Sequence, residues 1–157
     1  MEFSASRFRF VDLAEDLFRE LRLEPPGRST DETLPLIVTV DVDGESLTLE
    51  HAEHLGADRI VLECRFGAVP PEHAVPAFTR LLQINRNLPA DCGAAFAADD
   101  QTDEVVYMRS VSLDGATARG LLDHMVAIVG LAKEWRSSWF GAPEPVTGRP
   151  HLAMLGA

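Results

Sequence analysis

Apolar residues recur at helical spacing near the N-terminus of the chain, and they predict an amphipathic first helix. The stripe consists of Phe10, Leu13, Leu17 and Leu21. Ser4 or Ser6 is expected to cap the start of this helix, and the prolines at 25 and 26 end the pattern. Residues 23–35 are rich in proline and polar side chains, which predicts a loop before the next element.

Alternation of apolar and polar residues follows this loop and predicts three strands. The first two, LIVTVDV (36–42) and ESLTLEH (45–51), are joined by Asp43–Gly44, a dipeptide typical of a two-residue hairpin turn. Residues 58–66 form the third strand, which has one apolar and one charged face. Its apolar face consists of Ile60, Leu62, Cys64 and Phe66. Each of these strands is therefore expected to bury one face.

A second helix is predicted from Glu72 or Pro76 to Asn87, since proline is tolerated in the first turn of a helix. A second hairpin follows, formed by GAAFAAD (93–99) and EVVYMRSVSL (104–113) around a polar turn. Its first strand is rich in alanine, and small side chains allow another backbone or a helix to approach closely.

A long final helix is capped by Asp114 or Thr117. Its apolar stripe consists of Leu121, Met125, Ile128, Ala132, Trp135 and Trp139. The order of elements predicts an α+β fold, α-β-β-β-α-β-β-α, in which an antiparallel sheet packs with helices. The chain has 157 residues, which suits one domain over residues 1–140 and a flexible C-terminal tail over residues 141–157.

The charge of the chain restricts the classes of partner that it is expected to bind. It has 25 acidic and 14 basic residues, a net charge of −11. This disfavours nucleic acid, because phosphate binding depends on clustered Lys and Arg, and it disfavours anionic membranes for the same reason. Neither a signal-peptide pattern nor an apolar run of membrane-spanning length is present in the sequence. We therefore expect a soluble cytoplasmic protein.

Few residues are candidates for chemistry. His51 and His54 stand close together, but a zinc site needs four converging ligands, and neither Cys64 nor Cys92 has a CxxC partner. Solvated loop histidines and buried cysteines are the expected alternative. The acidic run DDQTDE (99–104) lacks the glycine and the closing glutamate of an EF-hand loop. The sequence thus predicts no catalytic residue, no metal site and no cofactor.

The chain resembles the class I chaperones of bacterial type III secretion, the CesT or Tir chaperone family. The resemblance covers residues 5–139 and is carried by the element order, by LLQIN (81–85) at the end of helix two, and by AKEWR (132–136) in the final helix. It implies a homodimer that binds the N-terminal segment of a secreted effector as an extended chain and keeps it soluble and exportable. The resemblance also implies that the protein is not an enzyme and needs no cofactor.

The resemblance also implies two sets of site residues. Helix one and the first sheet would contact the effector through Phe3, Phe8, Phe18, Leu21, Ile37 and Val61. Helix two and the strands after it would form the dimer interface through Phe78, Leu82, Phe96, Val106 and Met108. Two alternatives remain open: a YbjN-like regulatory or adaptor domain that binds a folded partner, and a small metal- or thiol-dependent enzyme that uses His51, His54 and Cys92.

Overall fold

The computed structural model describes residues 2–27, 35–51, 54, 56 and 58–143, with side chains from residue 5 onward. The predicted element order is confirmed, and with it the α+β fold class. The helices are α1 (Glu2–Glu20), α2 (Ala74–Asn87) and α3 (Ala118–Ser138). The strands are β1 (Leu36–Val42), β2 (Glu45–His51), β3 (Arg59–Ala68), β4 (Ala94–Ala98) and β5 (Glu104–Ser112). The predicted tail lies outside the described residues from residue 144 onward.

The five strands form one antiparallel sheet in the order β1-β2-β3-β5-β4. The strict alternation of buried and exposed residues along β1 shows that one face of the sheet is covered and the other is not. In this order β1 forms one edge of the sheet and β4 the other. These two edges are therefore where backbone groups of the sheet are available to other elements.

Helices α1 and α3 cover the buried face. The predicted apolar face of β3 is buried as expected, and Phe10 and Leu17 of α1 and Trp135 of α3 belong to the same core. Helix α2 lies beside β4 and buries only Ala77 and Leu81. It therefore contributes much less side-chain area to the core than α1 or α3 does.

Three local predictions were wrong or needed a choice. Helix α1 begins at Glu2, so Ser4 and Ser6 lie inside the helix and not at its N-cap position. Thr117 is the cap of α3, because its hydroxyl accepts a 3.1 Å hydrogen bond from the N–H of Gly120. Strand β3 runs past its predicted end through a bulge at Gly67, whose φ of +95° suits glycine.

The end of α3 also differs from the prediction. Trp139 was expected to continue the helical stripe, but the helix ends at Ser138, and both Trp139 and Phe140 adopt left-handed backbone conformations. This turn brings the Phe140 ring 5.3 Å from that of Trp135. Arg80 of α2 fixes the turn by donating a 3.0 Å hydrogen bond from Nε to the carbonyl of Phe140. The turn therefore joins α2 to the end of α3.

Candidate protein-binding surfaces

A groove separates α1 from β1 at one edge of the sheet. Its volume is about 180 Å3, smaller than the roughly 300 to 1,000 Å3 of ligand pockets. Its walls are mostly apolar, and Glu15 is the one ionisable lining residue among those described. The central lining residues are Phe10, Val11, Ala14, Leu36, Ile37 and Val38. The groove therefore suits one or two apolar side chains of a partner better than a small organic ligand.

The outer edge of β1 adjoins this groove. In a two-residue hairpin the pair that flanks the turn is hydrogen bonded, and the ladder then alternates. Counting back from Asp43–Gly44 in the observed register, the backbone groups of Ile37, Thr39 and Asp41 point away from β2. In the part of the chain that the structure describes, no strand pairs with them. A partner chain in an extended conformation could hydrogen bond there.

The residues predicted to contact an effector do not form one surface. Phe8 is 62% exposed on α1, whereas Ile37 is 57% exposed on the opposite, uncovered face of the sheet. Val61 is half-buried in the same cross-strand row as Ile37, with Glu50 between them. These positions therefore divide between α1 and the sheet, on either side of the groove.

The other three predicted contacts are less available. Phe18 is buried in the core of its own chain, and Leu21 is half-buried against that core. Little of the Phe18 side chain is left for a partner. The side chain of Phe3 lies outside the described residues.

Helix α2 carries a second apolar surface. Leu82 is 70% exposed, and Phe78 is half-buried. Val75, which the sequence analysis did not select, is 77% exposed. Its spacing from Phe78 and Leu82 places the three on one side of the helix, a signal that was present in the sequence. This α2 face, defined as Val75, Phe78 and Leu82, is unusual for a helix in a small monomer, because large apolar side chains normally face the core.

The strand residues predicted for the dimer interface lie on different faces of the sheet. Phe96 is buried and joins an aromatic cluster, with ring centroids 4.9 Å from Tyr107 and 5.5 Å from Phe140. Val106 and Met108 are on the uncovered face, where Val106 is buried and Met108 half-buried. Phe96 is therefore committed to its own chain, whereas Met108 retains exposed surface.

Arg65 is the cross-strand partner of Val106 and contacts the acidic run after β4. Its guanidinium forms ion pairs with Asp99 at 3.0 Å and Glu104 at 3.1 Å, across the uncovered face from Val106. The Asp99 carboxylate also accepts hydrogen bonds from the N–H groups of Gln101 and Thr102, which lower its pKa. The run thus builds the β4–β5 turn.

The candidate chemical residues are dispersed. His51 is buried and stacks on Phe10 at 5.5 Å, whereas His54 is exposed. Burial raises the pKa of the Cys64 thiol to about 11, so its reactive thiolate is scarce, and Cys92 is a half-buried free thiol. Within the described ranges, no three His, Cys, Asp or Glu residues form a group that could hold a metal ion. None of the helices described there is long and apolar enough to cross a membrane.

Comparison with known proteins gives one family and a set of similar folds. The model of the Tir chaperone protein (CesT) family matches residues 12–136, from α1 to the last turn of α3. No curated protein matches the chain by sequence. Several solved structures share the fold at sequence identities below 20%.

Three examples, each a complex, show the extent of the similarity. A chain of the HopA1–SchA chaperone–effector complex aligns with a TM-score of 0.64 and 18% identity, covering 85% of this chain and 97% of that one. The Yersinia pestis type III secretion chaperone SycH with a fragment of YscM2 gives 0.62 and 17%, covering 80% and 98%. The ExsC–ExsE complex gives 0.60 and 19%, covering 91% and 97%.

Proposed function

Because this chain belongs to the Tir chaperone protein (CesT) family, we propose that it is a cytoplasmic type III secretion chaperone that binds the N-terminal segment of a secreted effector as a homodimer. The observation that carries the proposal is the family match over residues 12–136, which spans nearly the whole described fold. The uncovered β1 edge, the adjoining groove and the exposed α2 face are consistent with it, because a chaperone acts through surfaces and needs no catalytic group.

The effector segment would bind in an extended form along β1. Its backbone would hydrogen bond to the outward-facing groups of Ile37, Thr39 and Asp41, and alternate side chains would point into the groove beside Phe10 and Leu36. Backbone pairing gives affinity that depends little on sequence, whereas the groove selects for apolar side chains. Each Å2 of apolar surface buried contributes about 25 cal/mol, which must offset the ordering of the segment.

Binding in this form explains how a chaperone would keep its partner exportable. An extended segment paired to β1 has no core of its own, so it does not have to unfold before transport. Its apolar side chains are covered by the groove and do not aggregate. The net charge of −11 helps to keep the complex itself soluble.

The dimer would form through the α2 face. Two copies related by a twofold axis would each bury the same surface, so Val75 and Leu82 would contact the partner's helix or sheet. Met108, which retains exposed surface on the uncovered sheet face, is a second candidate contact. Phe96 would support the interface from within the core.

The proposal is tested by co-expressing the chain with the N-terminal segment of a secreted protein encoded beside it and measuring the soluble complex. We expect two chaperone chains to bind one segment, and Ile37→Arg to reduce recovery of the segment without lowering the melting temperature, because the exposed Ile37 side chain would lie beside the segment paired to β1. Val126→Arg is the matched control, because Val126 is also an exposed apolar residue (56%) but lies on α3, away from the groove. Solubility and secretion of the segment that do not depend on this protein would overturn the proposal.

Leu82→Asp tests the dimer separately. Because Leu82 is 70% exposed in one chain, the change should cost the fold under about 0.5 kcal/mol. Each of the two copies would lose about 1.5 to 2 kcal/mol of apolar burial, so the dimer dissociation constant should rise by roughly two to three orders of magnitude. Sedimentation of diluted samples measures this, with Val126→Asp as the control. A variant that stays dimeric at all concentrations would show that α2 is not the interface.

The family match favours the chaperone over the YbjN-like adaptor. The two differ in the state of the partner, which is extended in the first and folded in the second. Limited proteolysis of the co-purified partner distinguishes them, because only an extended segment is cut throughout its length once it is released. That the protein has no enzymatic activity stays a prediction.

A further inference from the structure

The second edge of the sheet, β4, differs from β1, whose outer side pairs with no strand among the described residues. Asn85, two residues before the end of α2, reaches the middle of this strand. Its side-chain Nδ2 donates a 2.8 Å hydrogen bond to the carbonyl of Phe96, and its Oδ1 accepts a 2.9 Å hydrogen bond from the N–H of the same residue. One amide side chain thus makes both hydrogen bonds that a residue of a neighbouring antiparallel strand would make.

The register shows that these are the outward-facing groups of β4. Ser110 donates its N–H to the carbonyl of Gly93 at 2.7 Å, and Asp99 donates its N–H to the carbonyl of Glu104 at 2.8 Å. Since the ladder alternates, odd-numbered residues of this strand bond to β5 and even-numbered ones face outward. The outward residues are Ala94, Phe96 and Ala98. Asn85 therefore hydrogen bonds to the central one of these three outward-facing residues.

Without this cap the strand would be a good template for another chain. Four of its five residues are alanine, and none of the five is charged. Proteins commonly protect edges with charges, proline or a covering element, because an unprotected neutral edge pairs with other strands. By contrast, β1 carries Asp41 and the exposed Ile37 along its outer edge. The two edges therefore differ in the side chains that a pairing segment would meet.

We propose that Asn85 closes the β4 edge of the sheet, so that an extended partner segment can pair only at β1. This inference rests on the proposed function, because it assigns the binding mode to one of two edges. Asparagine suits the task for a chemical reason: the neutral amide offers one donor group and one acceptor atom at the right separation, whereas aspartate offers acceptors only and leucine offers neither. Leu81 and Ile84 pack the same end of α2 against the core. The hydrogen bonds of the Asn85 amide therefore add to an apolar contact between α2 and the rest of the fold.

Asn85→Leu is the decisive variant, because leucine is close to asparagine in shape and cannot hydrogen bond. Backbone hydrogen exchange of the free protein is the first readout. We expect the Phe96 amide to exchange about tenfold faster, as the loss of one hydrogen bond implies. Gln83→Ala is the control, since Gln83 is an exposed amide on the same helix and should leave the Phe96 rate unchanged. An unchanged Phe96 rate in the leucine variant would overturn the proposal.

Asn85→Asp guards against a variant that fails to fold. Its carboxylate keeps the acceptor for the Phe96 N–H but loses the donor to the carbonyl, so the amide should keep most of its protection while the melting temperature falls. Equal exchange rates in the aspartate and leucine variants would contradict the pairing that the structure shows.

The second readout uses the bound effector segment. In the wild-type protein we expect new protection of amides in β1 and none in β4; in Asn85→Leu we expect protection at Ala94 and Ala98 as well, or self-association through β4. Protection of β4 in the wild-type complex would overturn the inference. If no segment binds the wild-type protein, the proposed function fails, whereas the exchange rate of Phe96 in the free protein still decides whether Asn85 closes the edge.

Discussion

Replacing Glu45 with glutamine is expected to loosen the attachment of α3 to the β1–β2 hairpin. Glu45 follows the hairpin turn and receives two hydrogen bonds from the Arg136 guanidinium, one of them 2.6 Å long from Nη2 to Oε2. Arg136 also donates from Nε to the carbonyl of Phe66 at 3.1 Å, beside the bulge in β3. This arginine, in the AKEWR segment, therefore holds three elements together.

The magnitude follows from the geometry. The Glu45 side chain is 12% exposed and that of Arg136 is 42% exposed, so the pair is partly shielded from solvent. Hydrogen bonds to charged groups contribute about 1.5 to 3 kcal/mol, whereas fully exposed ion pairs contribute about 0 to 1. After discounting for the exposed part of Arg136, we expect Glu45→Gln to lower the free energy of unfolding by about 1 to 2 kcal/mol. For a chain of this length that corresponds to a fall of roughly 2 to 8 °C in Tm.

The effect should depend on pH in one direction. The hydrogen bonds from Arg136 hold the pKa of Glu45 below its ordinary value of 4.5. A carboxyl group whose pKa is lower in the folded state contributes its full stabilisation at pH values above its unfolded-state pKa. That stabilisation is lost as the pH falls through the folded-state pKa. The difference in stability between the wild type and Glu45→Gln should therefore be complete at neutral pH and shrink progressively below pH 4.5.

Urea denaturation of the two proteins at neutral pH and below pH 4.5 measures this difference. Glu50→Gln is the control, because it makes the same change on the uncovered face of the same strand. A double-mutant cycle with Arg136→Gln isolates the pair from the bond to Phe66. A coupling energy near zero, or a loss in Glu45→Gln that is equally large in acid, would refute the assignment of the stability to this ion pair.

Two further predictions concern a helix cap and the thiols. Thr117→Ala should cost about 1 kcal/mol by removing the cap of α3, measured as a fall in Tm of roughly 2 to 4 °C, while Thr79→Ala on the exposed side of α2 should not lower Tm. An unchanged Tm in Thr117→Ala would mean that the cap bond is not formed. In the native protein a thiol reagent at mildly alkaline pH should modify Cys92 well before Cys64, because burial raises the pKa of the Cys64 thiol to about 11. Equal rates of modification would contradict the burial of Cys64.

Local sequence was enough to predict the elements and their order. Alternation gave the buried faces of β1, β2 and β3, since side chains on a strand change face at every residue whatever the rest of the chain does. The Asp43–Gly44 turn could be placed for an equally local reason, because only a few residues tolerate positive φ. The core residues of α1 and α3 followed from helical periodicity.

Tertiary structure decided which apolar residues are left for partners. Phe8 and Phe18 were both predicted to contact an effector, but α1 is oriented so that Phe8 is 62% exposed and Phe18 only 8%. Similarly, Phe96 was assigned to an interface because its strand was expected there, yet the β4–β5 register turns its ring toward Tyr107. Exposure depends on how an element is rotated against its neighbours, and periodicity alone does not fix that rotation.

The same distinction applies to the polar contacts. The sequence contained Asn85 in a motif that pointed to a family, and it marked β4 as a strand that another element could approach closely. That the two meet, with one amide pairing both backbone groups of Phe96, depends on β4 lying at the sheet edge beside α2. Strand order is set by contacts between residues far apart in the chain, so the sequence determined the elements, and the tertiary structure decided which of the two sheet edges remained available.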